Sequence, residues 1–368
     1  MNQISVQKEC NLAEIQGENT DMTTDDIKNL LDTLHEKYLA PIEQSISEQN
    51  IILNDIQLSL STLRERVLLN SGTEILLNEN AADTEQVNFD LNKLYQSHID
   101  FDINNLSNDM EFELLQRKDV VGWWRYERFF EPVFKCLSHT KNNKWLTVGD
   151  PFGSDAFQMN REGFKDVLPT NIGEHLLKES KQRGLIQNYQ VENAESLSFD
   201  DNSFDYILCK EAYHHFPRPM IALYEMLRVA KKAVVLIEPQ DPYIDHPAHI
   251  ERMPIGYEKS GNYVYTLSRR ELEKVALGLN LPAIATKGHV DIWYEGASYI
   301  LANEDNPEFI KYRNQVEEAE RRCASMQQKY GYLFAIIYKE RPEIDRETFS
   351  VKFSKGWVIN SFPGNPYI

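Results

Sequence analysis

Two adjacent histidines, His214 and His215, offer the clearest acid–base chemistry in this chain of 368 residues. They stand in the segment Lys210–Phe216, directly after an apolar run. An imidazole with an ordinary pKa near neutrality can accept a proton at physiological pH. Because adjacent side chains of a helix or strand point in different directions, we expect one histidine to be acid or base and the other structural. For the same reason the pair should not chelate a metal ion.

A turn with two glycines follows another apolar run and could cradle a ligand. It reads GDPFG at positions 149–153, and glycine lets a backbone approach a ligand closely. Pro151 stands where a further glycine would be expected, and it has no N–H to donate to a pyrophosphate. The turn therefore disfavours a dinucleotide cofactor and, with it, a nicotinamide-dependent dehydrogenase.

Polar residues after two more apolar runs could hold a nucleoside. A side chain at Asn171 can reach ribose hydroxyls, but its single acceptor oxygen should hold them more weakly than a carboxylate would, by about 1 kcal/mol. A helix N-cap is the alternative role for Asn171. Asn193, Ala194 and Glu195 end the third run and could hydrogen-bond an adenine edge.

All these residues follow short apolar runs that alternate with helical patterns from residue 144 onward. The runs are WLTVGD, DVLPT, NYQVEN, FDYILCKE and KAVVLIEP. Strand–helix alternation at this spacing predicts an α/β fold, with a parallel sheet covered on both faces. Because open sheets of this kind bind ligands outside the carboxyl ends of their strands, we expect the polar groups above to meet at one edge.

The motifs together resemble the class I S-adenosylmethionine-dependent methyltransferases. The segments WLTVGDPFGSDA, TNIGE, ENAESLSFDDNSFDYILCKEAYHHF and VAKKAVVLIEP are similar to successive motifs of that family. The likeness is closest to type 11-like bacterial members associated with polysaccharide biosynthesis, and it covers residues 118–341. It implies a Rossmann-like, seven-stranded methyltransferase sheet with helices on both faces. Pro282–Trp293 and Tyr332–Glu340 fit its last two strands, with an inserted charged helix at about 304–328 between them.

The resemblance also implies a role for each site residue. The cofactor would be S-adenosyl-L-methionine, and Lys210 would border the reactive centre. The residues implied to hold its methionine portion, its ribose and its adenine are, in that order, Gly149, Asp150 and Gly153; Asn171; and Asn193, Ala194 and Glu195. The residues implied to approach the methyl acceptor are Tyr213, His214 and His215.

An aromatic segment at Arg117–Leu137 adds one further candidate. Its aromatic residues fall roughly on one helical face, which predicts a helix docked on the core. Arg125 stands beside them and could instead face a bound anion, so we include it among the cofactor-binding candidates.

The reaction implied is methyl transfer to a nucleophilic oxygen, catalysed by positioning and by removal of the acceptor proton. We expect an EC 2.1.1 enzyme that O-methylates a sugar or glycan-related hydroxyl, or a natural product. His215 is slightly preferred as the base, and Tyr213 would orient the acceptor. Thr147, Pro151 and Asn171 depart from the family pattern. They support the alternative of a non-catalytic scaffold that keeps a degenerate methyltransferase fold.

Charge and composition bound the partners and the compartment. The net charge is −18, and residues 1–110 hold 20 acidic and 6 basic side chains, so nucleic acid is an unexpected partner. There is no apolar run long enough for a membrane span and no secretory signal, and four distant cysteines suit a reducing cytoplasm. Asp245, His246 and His249 could bind a divalent ion, but a capped loop is preferred, and no metal is predicted.

The flanking segments are predicted separately from the sheet. Residues 1–25 read as a disordered tail, and residues 26–110 as an acidic helical extension and linker. The narrow apolar stripe of that extension suits a coiled coil, through which the protein could form a homo-oligomer or dock to a partner. The C-terminal tail, 342–368, is expected to pack on the body.

Overall fold

The computed structural model describes residues 90–106, 109–241, 256–342 and 356–367. The predicted disordered tail, most of the predicted coiled-coil extension and the loop with Asp245, His246 and His249 lie outside these residues. Among the described helices, none is long and apolar enough to cross a membrane.

The described strands form one mixed sheet. They are β1 (Lys144–Val148), β2 (Asp166–Asn171), β3 (Gln190–Val191), β4 (Phe204–Lys210), β5 (Ala230–Pro239), β6 (Ala283–His289), β7 (Tyr332–Tyr338) and β8 (Trp357–Ser361). Their order across the sheet is β3-β2-β1-β4-β5-β7-β6-β8. The first five strands pair in parallel, whereas β7 runs antiparallel to both β5 and β6. The α/β sheet expected from the alternating runs is therefore present.

An eighth strand corrects the predicted count of seven. β8 comes from the C-terminal segment and pairs antiparallel with the free edge of β6. Its burial alternates only weakly along WVINS, which is typical of an edge strand with one face towards water. Trp357 anchors it, because the indole is buried in the same apolar cluster as Ala283 and Ala285 of β6. Five residues with so weak a pattern give little signal in the sequence.

Helices flank the sheet and precede it. They are α1 (Leu91–Phe101), α2 (Asp109–Leu114), α3 (Val121–Cys136), α4 (Ser154–Arg161), α5 (His175–Gln182), α6 (Pro219–Val229), α7 (Arg269–Gly278) and α8 (Pro307–Ala324). A π-helical turn, Asp102–Leu106, continues α1. Local sequence sets several starts: Asp90 caps α1, Ser268 and Glu271 form a capping box on α7, and proline occupies the first turn of α6 and α8.

The core lies on both faces of the sheet, as the continuous apolar runs predict. On β5, Val234 packs into one cluster with α6 and α7, and the next residue, Val235, packs into another with α3. Because successive side chains of a strand point to opposite faces, both must be apolar when both faces are covered. This packing fixes the strands, and their carboxyl ends then carry the candidate site.

Candidate active site

Two cavities open at the carboxyl edge of the parallel strands. The larger cavity has a volume of about 700 Å³ and lies beyond β1, β2 and β3. The smaller cavity, of about 440 Å³, lies beyond β4 and against α3. Glu211, His215 and Glu258 line both cavities, so the two meet at these residues. This is the edge at which open α/β sheets bind their ligands.

The larger cavity collects five of the nine residues predicted to hold the cofactor. They are Gly149, Asn171, Asn193, Ala194 and Glu195. Each lies at or just after the carboxyl end of β1, β2 or β3. For that reason the sequence predicted that these residues lie close together. Asn171 itself is buried, and its amide donates to the carbonyl of Gly173 at 3.3 Å.

Gly149 is required by the conformation and packing of its turn. Its φ of +69° lies in the left-handed region, and an added Cβ would stand 2.5 Å from the Cβ of Ala212. The turn after β1 therefore touches the segment after β4 without room for a side chain. This contact holds the wall of the larger cavity in place.

Gly149→Ala should lower the free energy of unfolding by about 2 to 4 kcal/mol, through the left-handed backbone and the overpacking together. Gly184→Ala is the matched control, because Gly184 has a φ of +76° but no atom within 4 Å of an added Cβ. Gly184→Ala should lower the free energy of unfolding by only about 1 to 2 kcal/mol. Urea unfolding of both variants measures the difference, and equal losses would contradict the packing argument.

Asp150 caps a helix instead of facing the cavity. Its buried carboxylate accepts from the Thr147 hydroxyl at 2.9 Å and from the backbone N–H groups of Asp155 and Ala156 at the start of α4. These contacts use the lone pairs of Asp150 within the protein, and its predicted role at the methionine portion stays a prediction. The departure at Thr147 is also explained, because threonine can donate to Asp150 where a second carboxylate would repel it.

Two other predicted cofactor residues face the smaller cavity, and one packs away from both. Arg125 forms a bidentate ion pair with Asp291, and Lys210 is the last residue of β4. Both line the smaller cavity and not the larger one, and their predicted role in cofactor binding stays a prediction. An added Cβ at Gly153 would stand 2.8 Å from the side chain of Ile186, which places this turn residue against the loop after α5.

Asp102 is a carboxylate in the larger cavity that the sequence analysis missed. It follows α1, is 5% exposed and lines the cavity beside Asn171. Its Oδ2 has no hydrogen-bond partner among the described residues. Burial raises the pKa of Asp102 to about 6, although the Asn171 side chain and the charge of His215 oppose the rise. This unpaired, buried carboxylate oxygen is a candidate acceptor for a ligand hydroxyl.

Glu195 is held by residues from two other elements. The Tyr95 hydroxyl of α1 donates to it at 2.6 Å, and Arg218 donates both its backbone N–H and its Nε, at 2.7 and 2.6 Å. The carboxylate thus ties α1 to the turn before α6, and it closes one side of the larger cavity. Because these hydrogen bonds use its oxygens, the Glu195 carboxylate serves to hold this wall of the cavity and leaves few acceptors for a nucleobase.

A buried cation lies at the wall of the smaller cavity. The Nζ of Lys210 is 2.8 Å from Glu211 and 3.5 Å from Asp155, and it lies 5.1 Å from the ring centre of Tyr126. Burial alone would lower the pKa of Lys210, but the two carboxylates outweigh it and raise the pKa. Burial raises the pKa of Asp155 to about 7. Lys210 therefore stays charged and positions Glu211, whose other oxygen accepts from the Tyr332 hydroxyl at 2.9 Å.

His214 is held by a fully buried carboxylate. Its Nδ1 lies 2.7 Å from Glu238, which is 0% exposed and also accepts from the backbone N–H groups of Ala212 and Tyr213. With Nδ1 engaged, Nε2 is the ring nitrogen left for chemistry, and His214 lines the smaller cavity. Glu238 was not assigned a role from the sequence.

His215 stands at the junction of the cavities, close to His214. Its Nδ1 lies 2.8 Å from Glu258, and the centres of the two imidazole rings are 4.0 Å apart. Burial lowers the pKa of His215, but Glu258 outweighs it, so the net shift is upward. The expected divergence of the two side chains is wrong here, because Tyr213–His215 is a 3₁₀ turn and neither a helix nor a strand.

Tyr213 lines neither cavity. It is 3% exposed and packs in the apolar cluster with α6 and α7, against Phe216. Its predicted role in orienting the acceptor stays a prediction, and this burial gives that role no support. The 3₁₀ turn buries both Tyr213 and His214, but only its two histidines line a cavity.

Comparisons with known proteins agree with this geometry at the level of the domain. Residues 146–237, which span β1 to β5, match a family described as "Methyltransferase domain". The uncharacterized methyltransferase YcgJ of Bacillus subtilis (strain 168) is 39% identical over 71 residues, which are 18% of this chain. The match spans 28% of that protein's length.

Solved methyltransferase structures are similar to the chain at low identity. The magnesium protoporphyrin IX methyltransferase of Synechocystis PCC 6803, with bound S-adenosylmethionine, is 13% identical, with a TM-score of 0.41, over 69% of this chain and 99% of that one. The phosphoethanolamine N-methyltransferase 2 of Haemonchus contortus is 14% identical, with a TM-score of 0.42, over 66% of this chain and 60% of that one.

Proposed function

We propose that the protein is an S-adenosylmethionine-dependent methyltransferase that acts on a hydroxyl group. The observation that carries this proposal is the pair of joined cavities at the carboxyl edge of the sheet. One has room and polar groups for a nucleoside, and the other offers a histidine held by a carboxylate. The match of residues 146–237 to a methyltransferase domain supports S-adenosylmethionine as the cofactor.

The larger cavity suggests how the cofactor lies. The adenine of S-adenosylmethionine would lie near Asn193 and Ala194, and the ribose hydroxyls of the cofactor would lie near Asn171 and Asp102. The methionine portion would pass Gly149, which brings the sulfonium towards Glu211 and His215, where the cavities meet. S-adenosylmethionine has no phosphate, so Pro151 removes no donor that this cofactor needs.

The reaction is a direct displacement. A lone pair of the acceptor oxygen forms the new O–CH₃ bond, while the S–CH₃ electron pair returns to sulfur and leaves S-adenosylhomocysteine. The hydroxyl proton passes to one of the two histidines, His214 or His215, which would lie between the acceptor and the cofactor. The protein otherwise contributes alignment of oxygen, carbon and sulfur.

The smaller cavity supports a hydroxylated acceptor, either a sugar or glycan or a natural product. Its wall combines aromatic faces at Tyr126, Phe129 and Trp293 with the charged groups of Lys210 and Glu211. Aromatic faces can cover the apolar side of a sugar ring, while charged groups hydrogen-bond its hydroxyls. The polysaccharide association comes from the sequence resemblance and is part of the proposal.

Calorimetric titration with S-adenosylmethionine tests the cofactor. We expect one site per chain with a Kd of about 10 µM, since charged and neutral hydrogen bonds add to burial of the adenine. Absence of heat at millimolar ligand would instead support the scaffold alternative.

Incubation with nucleotide sugars and glycans, followed by mass spectrometry, then seeks an acceptor that gains about 14 Da, one methyl replacing a hydrogen.

A further inference from the structure

Three side chains converge where the two cavities meet. They are His214, His215 and Glu258, and one nitrogen or oxygen atom of each lies within 4.8 Å of the others. Nε2 of His214 is 4.0 Å from Glu258, and Nδ1 of His215 is 2.8 Å from it. A metal ion 2.0–2.2 Å from each ligand places ligand atoms about 3 to 4 Å apart, so the cluster has nearly the required spacing.

The short contact between His215 and Glu258 is not an ordinary hydrogen bond. Nδ1 of His215 is buried and has no partner of normal hydrogen-bond geometry among the described residues, although the carboxylate oxygen is only 2.8 Å away. A cation between them and His214 would give that orphaned nitrogen a partner.

Neighbouring groups hold two of the three side chains in a binding orientation. Glu238 holds Nδ1 of His214 at 2.7 Å, so that Nε2 faces the cluster. A carboxylate behind a histidine is the usual arrangement around metal ligands, because it fixes the ring and raises its basicity. On the loop side, the amide of Asn262 donates to Glu258 at 3.2 Å.

We propose that His214, His215 and Glu258 bind one divalent transition-metal ion, and that this ion binds the acceptor oxygen. Two imidazoles and one carboxylate suit Zn²⁺, Fe²⁺, Co²⁺ and Mn²⁺ better than Mg²⁺ or Ca²⁺. Three protein ligands leave positions open for the acceptor and for water. The metal site itself does not depend on the proposed methyltransferase function, but the role of the ion in catalysis rests on that function.

The ion changes how the acceptor loses its proton. A hydroxyl bound to a divalent cation has a lower pKa, so its proton passes to water more readily. With an ion held by these residues, the acceptor oxygen would attack the methyl carbon as it loses its proton, and the S–CH₃ electron pair would return to sulfur as before. The two imidazoles act as ligands in this arrangement. The substrate class is thereby narrowed to acceptors whose hydroxyl, alone or with a neighbouring oxygen, can bind a cation.

Titration of the full chain with Co²⁺ tests the site, after dialysis against a chelator. Visible absorption reports the ion and its ligands. We expect one ion per chain with a Kd of about 10 µM or tighter. Glu258→Gln and His215→Ala should each weaken binding at least tenfold, and Glu238→Gln about 10- to 100-fold through the orientation of His214. Glu295→Gln removes the same charge from an exposed loop position and should bind like the wild type.

Glu258→Gln is the decisive variant, because its side chain is 38% exposed and the protein should fold without it. Wild-type Co²⁺ affinity in Glu258→Gln and His215→Ala, or no binding at millimolar Co²⁺, would overturn the metal site. Calorimetry with S-adenosylmethionine on the same metal-free samples separates the two proposals. If S-adenosylmethionine binds and Co²⁺ does not, only the metal-site proposal is rejected. If Co²⁺ binds and S-adenosylmethionine does not, the methyltransferase proposal is rejected.

Discussion

His214→Ala should lower the rate of methyl transfer by about 10²- to 10⁴-fold while the affinity for S-adenosylmethionine stays unchanged. His214 lines the smaller cavity, and Glu238 holds the ring so that Nε2 is the nitrogen left for chemistry. Whether Nε2 takes the proton or binds a cation that acidifies the hydroxyl, alanine removes it. Formation of S-adenosylhomocysteine, with the acceptor found by mass spectrometry, measures the loss.

Glu238→Gln tests the same arrangement without deleting the imidazole. A glutamine oxygen can still accept from the N–H groups of Ala212 and Tyr213, but its amide would donate to Nδ1 of His214. The proton of the neutral ring then moves to Nε2, which can neither accept a proton nor bind a metal ion in that tautomer. We expect a loss of rate similar to that of His214→Ala.

His175→Ala is the matched control, because this exposed histidine begins α5 and belongs to neither cavity lining. It should keep the wild-type rate. Equal rates for the wild type, His214→Ala and Glu238→Gln would remove the histidine from the mechanism. A parallel loss of cofactor affinity in His214→Ala would instead assign it to the larger cavity.

The parallel half of the fold could be predicted from the sequence because its signals are local. Continuous apolar runs such as those of β4 and β5 are what a strand needs when helices cover both faces. Once such strands are recognised, their carboxyl ends must share an edge. That step alone places Gly149, Asn171 and Asn193 around one cavity.

The rest of the site depends on contacts between residues far apart in the chain. Asp102 reaches Asn171 from a helix that precedes the sheet, and Glu258 reaches His215 from a loop after β5. No spacing in the sequence encodes these pairs. Asp150 and Tyr213 show a local limit of the sequence. A strand end indicates which residues leave the sheet, but hydrogen bonding and packing decide which of them turn inward.

Asp102→Asn should weaken S-adenosylmethionine binding about tenfold at pH 8. A carboxylate can accept from both ribose hydroxyls, whereas the Asn171 amide offers one oxygen and already donates to Gly173. Hydrogen bonds to a charged group contribute about 1.5 to 3 kcal/mol, of which the neutral amide at 102 would keep a part. Calorimetry on the wild type and the variant measures the change in Kd.

The pH dependence of binding distinguishes this carboxylate from a merely structural one. Because burial raises the pKa of Asp102 to about 6, the wild-type affinity should be highest above pH 7 and fall as the pH drops through 6. Ribose hydroxyls favour the charged form, so binding should release protons near pH 6. Asp102→Asn should lose both effects, and an unchanged pH profile in this variant would contradict the assignment.

Asn171→Asp provides the complementary test. If Asn171 held the ribose alone, restoring a carboxylate there should tighten binding. With Asp102 already beside it, a second carboxylate would raise the pKa of one of the two groups through like-charge repulsion, so we expect no gain in affinity. In Asp102→Asn, by contrast, Asn171→Asp should recover the lost affinity, because one carboxylate then faces the ribose again. Calorimetry on the two single variants and the double variant decides whether Asp102 carries the role that Asn171 leaves open.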